Sequence, residues 1–112
     1  MSQIALADPI LPCLKKELEA LYGTRLQRVL LYGSRARGDH QPDSDYDVLV
    51  VLKGPIDLWL EQKRLSGLSS DLLWKTIAEG KVVDVSFKPM TEEQTRQRTG
   101  FMHNVRREAL EL

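Results

Sequence analysis

The run from Tyr46 to Leu52, YDVLVVL, is apolar or aromatic at every position except Asp47. A strand with one face in water alternates apolar and polar residues, whereas a strand covered on both faces is apolar almost throughout. The run therefore predicts a strand in a sheet that helices cover on both sides. A carboxylate inside such a strand rarely lacks a partner, because burying an unpaired charge is costly. Asp47 is therefore expected to have a cation nearby.

The rest of the chain alternates between helical and strand-like patterns of apolar residues. The sequence predicts an α/β (α+β) domain with a small, mixed, three-stranded sheet packed by helices. Four small residues between 66 and 70 predict a break or kink in the long helical segment. The predicted elements are a helix over 9–22, strands over 28–32, 46–52 and 82–87, a short helical turn over 34–37, a helical segment over 57–79 and a last helix over 91–112.

Three aspartates are placed where they can act together. Side chains at i and i+2 of a strand share a face, so Asp45 and Asp47 project together. Asp84, in the strand predicted over 82–87, would join them if the two strands are neighbours. Three ionised carboxylates within a few ångströms repel one another, and a divalent cation relieves that repulsion. Hard oxygen ligands suit Mg²⁺, which usually keeps coordination positions for substrate phosphates.

A glycine-serine turn precedes the acids. Gly33 follows the strand predicted over 28–32, and a glycine there lets backbone N–H groups approach a phosphate closely. The Ser34 hydroxyl adds a donor, and Arg35 and Arg37 can add charge-assisted contacts. The sequence thus predicts a site for a nucleoside triphosphate with two metal ions, in which Asp84 is a ligand or the base nearest the acceptor.

Bulk composition narrows the function further. Sixteen lysines and arginines balance sixteen aspartates and glutamates, so no global basic field favours nucleic acid, and a nucleic-acid partner is not expected. Cys13 is the only cysteine, which fits a reducing compartment. No apolar stretch is long enough to span a membrane. We expect a single cytoplasmic, soluble domain over 1–112, whose larger substrates come from another molecule.

The motifs resemble those of a known family. Gly33-Ser34, ten intervening residues and Asp45-x-Asp47 are similar to the signature of the DNA polymerase β nucleotidyltransferase superfamily. GSRARG and SDYDVLVV resemble its minimal nucleotidyltransferase branch, VVDVSF supplies the third acid, and FMHNVRREALEL resembles the end of such domains. The resemblance implies the polymerase β-like nucleotidyltransferase fold, Mg²⁺, and ATP or another nucleotide as substrate.

The resemblance also implies a partner. Many members of this branch are antitoxins encoded with a HEPN-domain toxin, which they inactivate by transferring AMP to a tyrosine. The expected function is thus AMP transfer to a hydroxyl of such a toxin, within a hetero-oligomer of the two proteins. Two alternatives stay open at this point. The chain could neutralise its partner by occlusion without catalysis, or it could transfer a nucleotide to a small molecule or an RNA end.

Overall fold

Residues 8–112, which the computed structural model describes, form one mixed sheet with helices on both faces. The elements in chain order are α1 (Ile10–Tyr22), β1 (Leu26–Tyr32), α2 (Ser34–Arg37), β2 (Tyr46–Leu52), α3 (Leu58–Ala78), β3 (Val85–Thr91), α4 (Glu92–Thr95), α5 (Gly100–Glu108) and β4 (Leu110–Glu111). The strand order is β3-β2-β1-β4; β2 is antiparallel to β1 and parallel to β3, and β4 is antiparallel to β1. The predicted α+β class is confirmed, and the sheet has a fourth strand beyond the three predicted.

Strand β2 is covered on both faces, as its apolar run predicts. Val48, Val50 and Leu52 belong to the core under α1 and α3, and Leu49 belongs to a second core under α5. Alternation along the strand then puts Asp47 on the α5 face. The acid predicted to need a cation therefore lies at the end of the smaller core, close to the C-terminal part of the chain.

Helix α3 is continuous, so the break predicted near residues 66–70 is wrong. Gly67 lies on the outward face with open space around its Cα, and buried Leu65 and Leu72 hold the helix against the sheet on either side of it. The Ser69 hydroxyl donates to the carbonyl oxygen of Val85 at 2.7 Å. Tertiary packing of this kind commonly overrides weak helix propensity.

Strand β3 begins three residues later than predicted and continues through Pro89. It is the edge strand of the sheet, and a proline is tolerated at an edge because its missing N–H can face away from the neighbouring strand. Asp84 therefore precedes β3 and is exposed, whereas the sequence placed it inside the strand.

The segment predicted as one last helix is two helices and a strand. The sequence Thr91-Glu92-Glu93-Gln94 predicts a capping box, which is present and starts α4, with Gln94 as its second member. A second cap follows, because the Thr99 hydroxyl accepts a hydrogen bond from the backbone N–H of Met102 at 3.0 Å and starts α5. Strand β4 then pairs with the middle of β1.

Candidate functional site

Gly33 and Asp47 face each other where β1 ends and β2 begins. The register of the two antiparallel strands pairs Tyr32 with Asp47, so Gly33 follows directly beside the aspartate. Gly33 has φ +77°, and a Cβ atom built on it would lie 2.3 Å from Oδ2 of Asp47. Any residue with a side chain would therefore collide with that carboxylate as well as adopt a left-handed backbone conformation. The local geometry requires glycine at position 33.

Asp45 and Asp47 form an electrostatically strained pair. Asp45 is exposed, and Asp47 is only partly exposed. Burial raises the pKa of Asp47, the negative charge of Asp45 raises it further, and the guanidinium of Arg37 opposes both effects. The shift remains upward, so Arg37 does not fully compensate the two carboxylates. The pair therefore attracts an additional positive charge.

Asp84 lies next to Asp45. The backbone N–H of Tyr46 donates to the carbonyl oxygen of Asp84 at 2.9 Å, which continues the parallel register of β2 and β3 by one step. Asp45, Asp84 and Ser86 line one cleft of about 260 Å³ at this end of the sheet. The neighbouring strands that the three-acid prediction requires are thus present.

The acids are not assembled as a complete set of metal ligands. Within residues 8–112, no three Asp, Glu, His or Cys side chains form a group arranged to hold a metal ion. The pairs Asp45 with Asp47 and Asp45 with Asp84 are nevertheless adjacent. Hard oxygen donors with an uncompensated negative charge fit Mg²⁺, and like charges that lack a cation tend to stay apart. The three-aspartate site therefore stays a prediction.

Ser34 and Arg37 are the first and last residues of the short helix α2, which follows Gly33. Ser34 is the first residue of α2 and Gly33 its cap, and the backbone N–H groups of Ala36 and Arg37 both donate to the carbonyl oxygen of Gly33 at 3.1 Å. The side chain of Arg37 binds Glu108 through Nη1 at 3.1 Å. Of the two predicted arginines, Arg37 is thus the one that the structure brings to Gly33 and Asp47.

Arg35 is directed elsewhere. Its guanidinium lies 4.0 Å above the ring of Tyr46 and donates to the carbonyl oxygens of Ser44 at 3.0 Å and Pro42 at 3.1 Å. Tyr46 faces the α1 side of the sheet, opposite to Asp47. Arg35 therefore fastens the loop that carries Asp45, and the structure does not bring its side chain to Gly33 and Asp47.

Glu108, near the end of α5, was not predicted as a site residue. Its Oε1 accepts a long hydrogen bond from the backbone N–H of Gly33 at 3.4 Å, and the same carboxylate binds Arg37. No motif around Glu108 indicates this contact, since 75 residues separate it from Gly33. A carboxylate thus occupies the two donors, one backbone N–H and one guanidinium, that would suit an anionic ligand.

A small mixed sheet with a glycine turn against paired carboxylates is an arrangement suited to an α+β domain that binds phosphates and metal ions. Residues 11–102 match the family described as Nucleotidyltransferase domain, and the chain belongs to this family. It is 36% identical to a protein of Methanocaldococcus jannaschii that is provisionally assigned as a protein adenylyltransferase. The alignment spans 78 residues and covers 65% of this chain and 79% of the relative. A second such protein from the same organism is 42% identical over 40 residues, which are 36% of this chain and 38% of that protein.

The fold is also found among solved structures. A chain in a crystal structure described as a toxin-antitoxin with AMP-PNP superimposes with a TM-score of 0.54 at 20% identity, over 86% of this chain and 67% of the other. The similarity confirms the nucleotidyltransferase fold. Among the helices of residues 8–112, none combines the length and apolar character needed to cross a membrane.

Proposed function

We propose that the chain transfers AMP from ATP to a hydroxyl group of a partner protein, a HEPN-domain toxin that is thereby inactivated. The observation that carries the proposal is the close approach of the Gly33 backbone to the carboxylate of Asp47, which sets a backbone N–H donor for a phosphate beside oxygens that can bind a metal ion. The adenylyltransferase names of the relatives and the toxin-antitoxin description of the similar structure support the same reaction and the same kind of partner.

Each residue of the site has a role in this reaction. Asp45, Asp47 and Asp84 would hold Mg²⁺, which when bound neutralises phosphate charge and favours departure of pyrophosphate. The Gly33 N–H and the Ser34 hydroxyl bind phosphate oxygens, and Arg37 adds a positive charge. The acceptor oxygen attacks the α-phosphorus, the bond from that phosphorus to the bridging oxygen breaks, and the hydroxyl proton is lost.

We assign that proton to Asp84. It lies outside β3, is exposed and lines an open cleft, so an acceptor hydroxyl can reach it. We assign it the role of ligand or base on the acceptor side, and we place the reaction in the cytoplasm, in a hetero-oligomer of the two proteins. The tyrosine identity of the acceptor residue comes from the family resemblance and is part of the proposal.

A binding module that neutralises the toxin by occlusion is the second candidate. It is favoured by one observation, the lack within residues 8–112 of three side chains grouped to hold a metal ion. In this alternative the nucleotide site is vestigial, and the contact surface alone blocks the toxin. The two candidates differ in whether a covalent adduct forms.

An assay of AMP transfer with radiolabelled ATP distinguishes the catalytic candidate from occlusion. The chain is incubated with ATP labelled at the α-phosphate, Mg²⁺ and the protein encoded by the adjacent gene, and mass spectrometry measures the product. We expect a mass increase of one or more AMP units on the partner, and none with the Asp45→Ala/Asp47→Ala variant. Equal labelling by that variant would contradict the assignment, and full neutralisation by it without any adduct would establish occlusion.

Glu108 offers a test of where the phosphates bind. Its carboxylate now occupies the Gly33 N–H and Arg37, so ATP must displace it. Glu108→Gln removes the competing charge and should tighten ATP binding about tenfold, close to 1.4 kcal/mol, in titration calorimetry with Mg²⁺. Glu111→Gln, which alters a carboxylate bound to Arg28 instead, is the matched control. Weaker binding by Glu108→Gln would mean that Glu108 positions Arg37 for the nucleotide.

A further inference from the structure

A cleft of about 640 Å³ lies between the β1 and β4 edge of the sheet and the helices α4 and α5. Its apolar lining comes from Leu30 on β1, from Met102 and Val105 on α5, and from Ala109. Leu30, Met102 and Val105 are buried members of the smaller core, so the floor is rigid and already packed. A volume of this size suits a short run of side chains from another molecule.

Arginines surround the floor and are poorly compensated. Arg96, Arg98 and Arg106 line the cleft, and within residues 8–112 no carboxylate lies at ion-pair distance from any of them. Arg106 donates to the carbonyl oxygens of Thr95 at 2.8 Å and Gln97 at 3.3 Å. Neutral carbonyls hold a guanidinium in place without cancelling its charge. The chain has no net charge, so this concentration of positive charge is local.

We propose that this cleft binds an acidic amphipathic segment of the partner protein, with apolar side chains on the floor and carboxylates on the three arginines. The inference deepens the proposed function, because it rests on the acceptor being a protein. Arginine forms planar, two-bonded contacts with carboxylates, and charge complementarity speeds association and selects the partner.

The same lining disfavours nucleic acid as the occupant. Glu92 and Glu111 also line the cleft, where they bind Arg28 at 3.6 Å and 2.9 Å and would repel phosphodiesters. The lining contains no aromatic residue on which a base could stack, and such stacking is a main source of single-strand affinity. An aliphatic floor with arginines and two glutamates fits a peptide with mixed apolar and acidic side chains.

The cleft is connected to the candidate site through one helix. Met102 and Val105 of α5 form part of the floor, and Glu108, one turn beyond Val105, contacts Gly33 and Arg37. A partner held in the cleft therefore lies along the helix that ends at the nucleotide site. This placement would bring a neighbouring hydroxyl of the partner toward Gly33 and Asp47 at the end of the sheet.

Fluorescence anisotropy with a defined probe tests the inference. The probe is a labelled synthetic helix with leucine at helical spacing and glutamate between, and the control probe replaces every glutamate with glutamine. We expect the acidic probe to bind, and Arg96→Glu/Arg98→Glu to weaken its binding at least about tenfold, more at low than at high salt. Lys63→Glu/Arg107→Glu makes the same change in charge at exposed residues outside the cleft and should bind as the parent chain does.

The outcome is independent of the transfer reaction. The titration contains no nucleotide, and the Asp45→Ala/Asp47→Ala variant should bind the acidic probe as tightly as the parent, even if the chain transfers nothing. Equal binding of the two probes, or equal weakening by the two charge-reversal variants, would overturn the proposal. So would tighter binding of a single-stranded RNA of similar length, or a dimer in sedimentation that Arg96→Glu/Arg98→Glu abolishes, since the occupant would then be RNA or a second copy.

Discussion

Replacing Gly33 with alanine is expected to reduce nucleotidyl transfer at least about a hundredfold, because displacing a reacting group by an ångström has an effect of that size. The new Cβ would lie 2.3 Å from Oδ2 of Asp47 and 3.1 Å from its Cγ. The end of a side chain yields more easily than the backbone, so the aspartate must rotate away. The substitution therefore moves the predicted metal ligand.

The effect on stability should be much smaller. Alanine at φ +77° and ψ −159°, a region that is essentially restricted to glycine, costs about 1–3 kcal/mol, and the contact with Cβ of Asp47 at 3.3 Å adds a little. Gly80 is a control for positive φ, because it has φ +79° and open space around it. Gly80→Ala should lower the free energy of unfolding in urea titration and keep full transfer activity.

Gly67 controls for the substitution itself. It lies within α3 and has nothing near its Cα, so Gly67→Ala should stabilise the protein by up to about 1 kcal/mol through helix propensity. The comparison of the three variants separates backbone strain from loss of the site. If Gly33→Ala keeps more than a small fraction of the transfer rate, the contact of Gly33 with Asp47 is structural and the proposed phosphate position is wrong.

The parts of this molecule that follow local rules were predictable from the sequence. The apolar run of β2 indicated helices on both sides of the sheet, and alternation along the strand gives the α5 face for Asp47. The capping box at Thr91 identified the start of α4. These signals depend on neighbouring residues only, so no knowledge of the tertiary fold was needed.

Other elements depend on what packs against them. The small residues near Gly67 suggested a break, but the sheet holds α3 together on its buried side. Pro89 looked like the end of a strand, and only its position at the sheet edge explains why β3 continues through it. Strand β4 is two residues long and exists because it pairs with β1, which no local pattern could indicate.

Side-chain direction was the least predictable feature of the site. Arg35 and Arg37 are two residues apart in one short helix, yet Arg35 binds the loop carbonyls and Arg37 binds Glu108. The motif predicts a phosphate contact for both arginines, because it carries no information about which face of the sheet each side chain approaches. Glu108 was missed for a related reason: its contact with Gly33 joins distant parts of the chain.

Asp47→Asn is expected to separate activity from stability. Burial, followed by the charge of Asp45, raises the pKa of Asp47. A carboxyl whose pKa is higher in the folded protein favours folding below its ordinary pKa, and this contribution is lost as the pH rises through the raised value. At pH 7 the ionised side chain therefore opposes folding. Asparagine carries no charge, so the variant should melt at the same or a higher temperature at pH 7, with the difference shrinking as the pH falls.

Nucleotidyl transfer by Asp47→Asn should fall at least about a hundredfold. Loss of one electrostatic contact to a transition state typically has an effect of that size. Asp43→Asn makes the same chemical change at an exposed position of the preceding loop and should alter neither property.

Magnesium gives a readout of Asp47→Asn that does not depend on transfer. A ligand that binds only the folded protein raises its melting temperature, so Mg²⁺ should stabilise the parent chain and Asp43→Asn but not Asp47→Asn. Differential scanning calorimetry at several pH values measures both effects. Unfolding of Asp47→Asn at pH 7 would show that Asp47 is a structural acid paired with Arg37. An unchanged Mg²⁺ effect would place the cation elsewhere, because the carboxylate most strained by its neighbours should gain most from binding it.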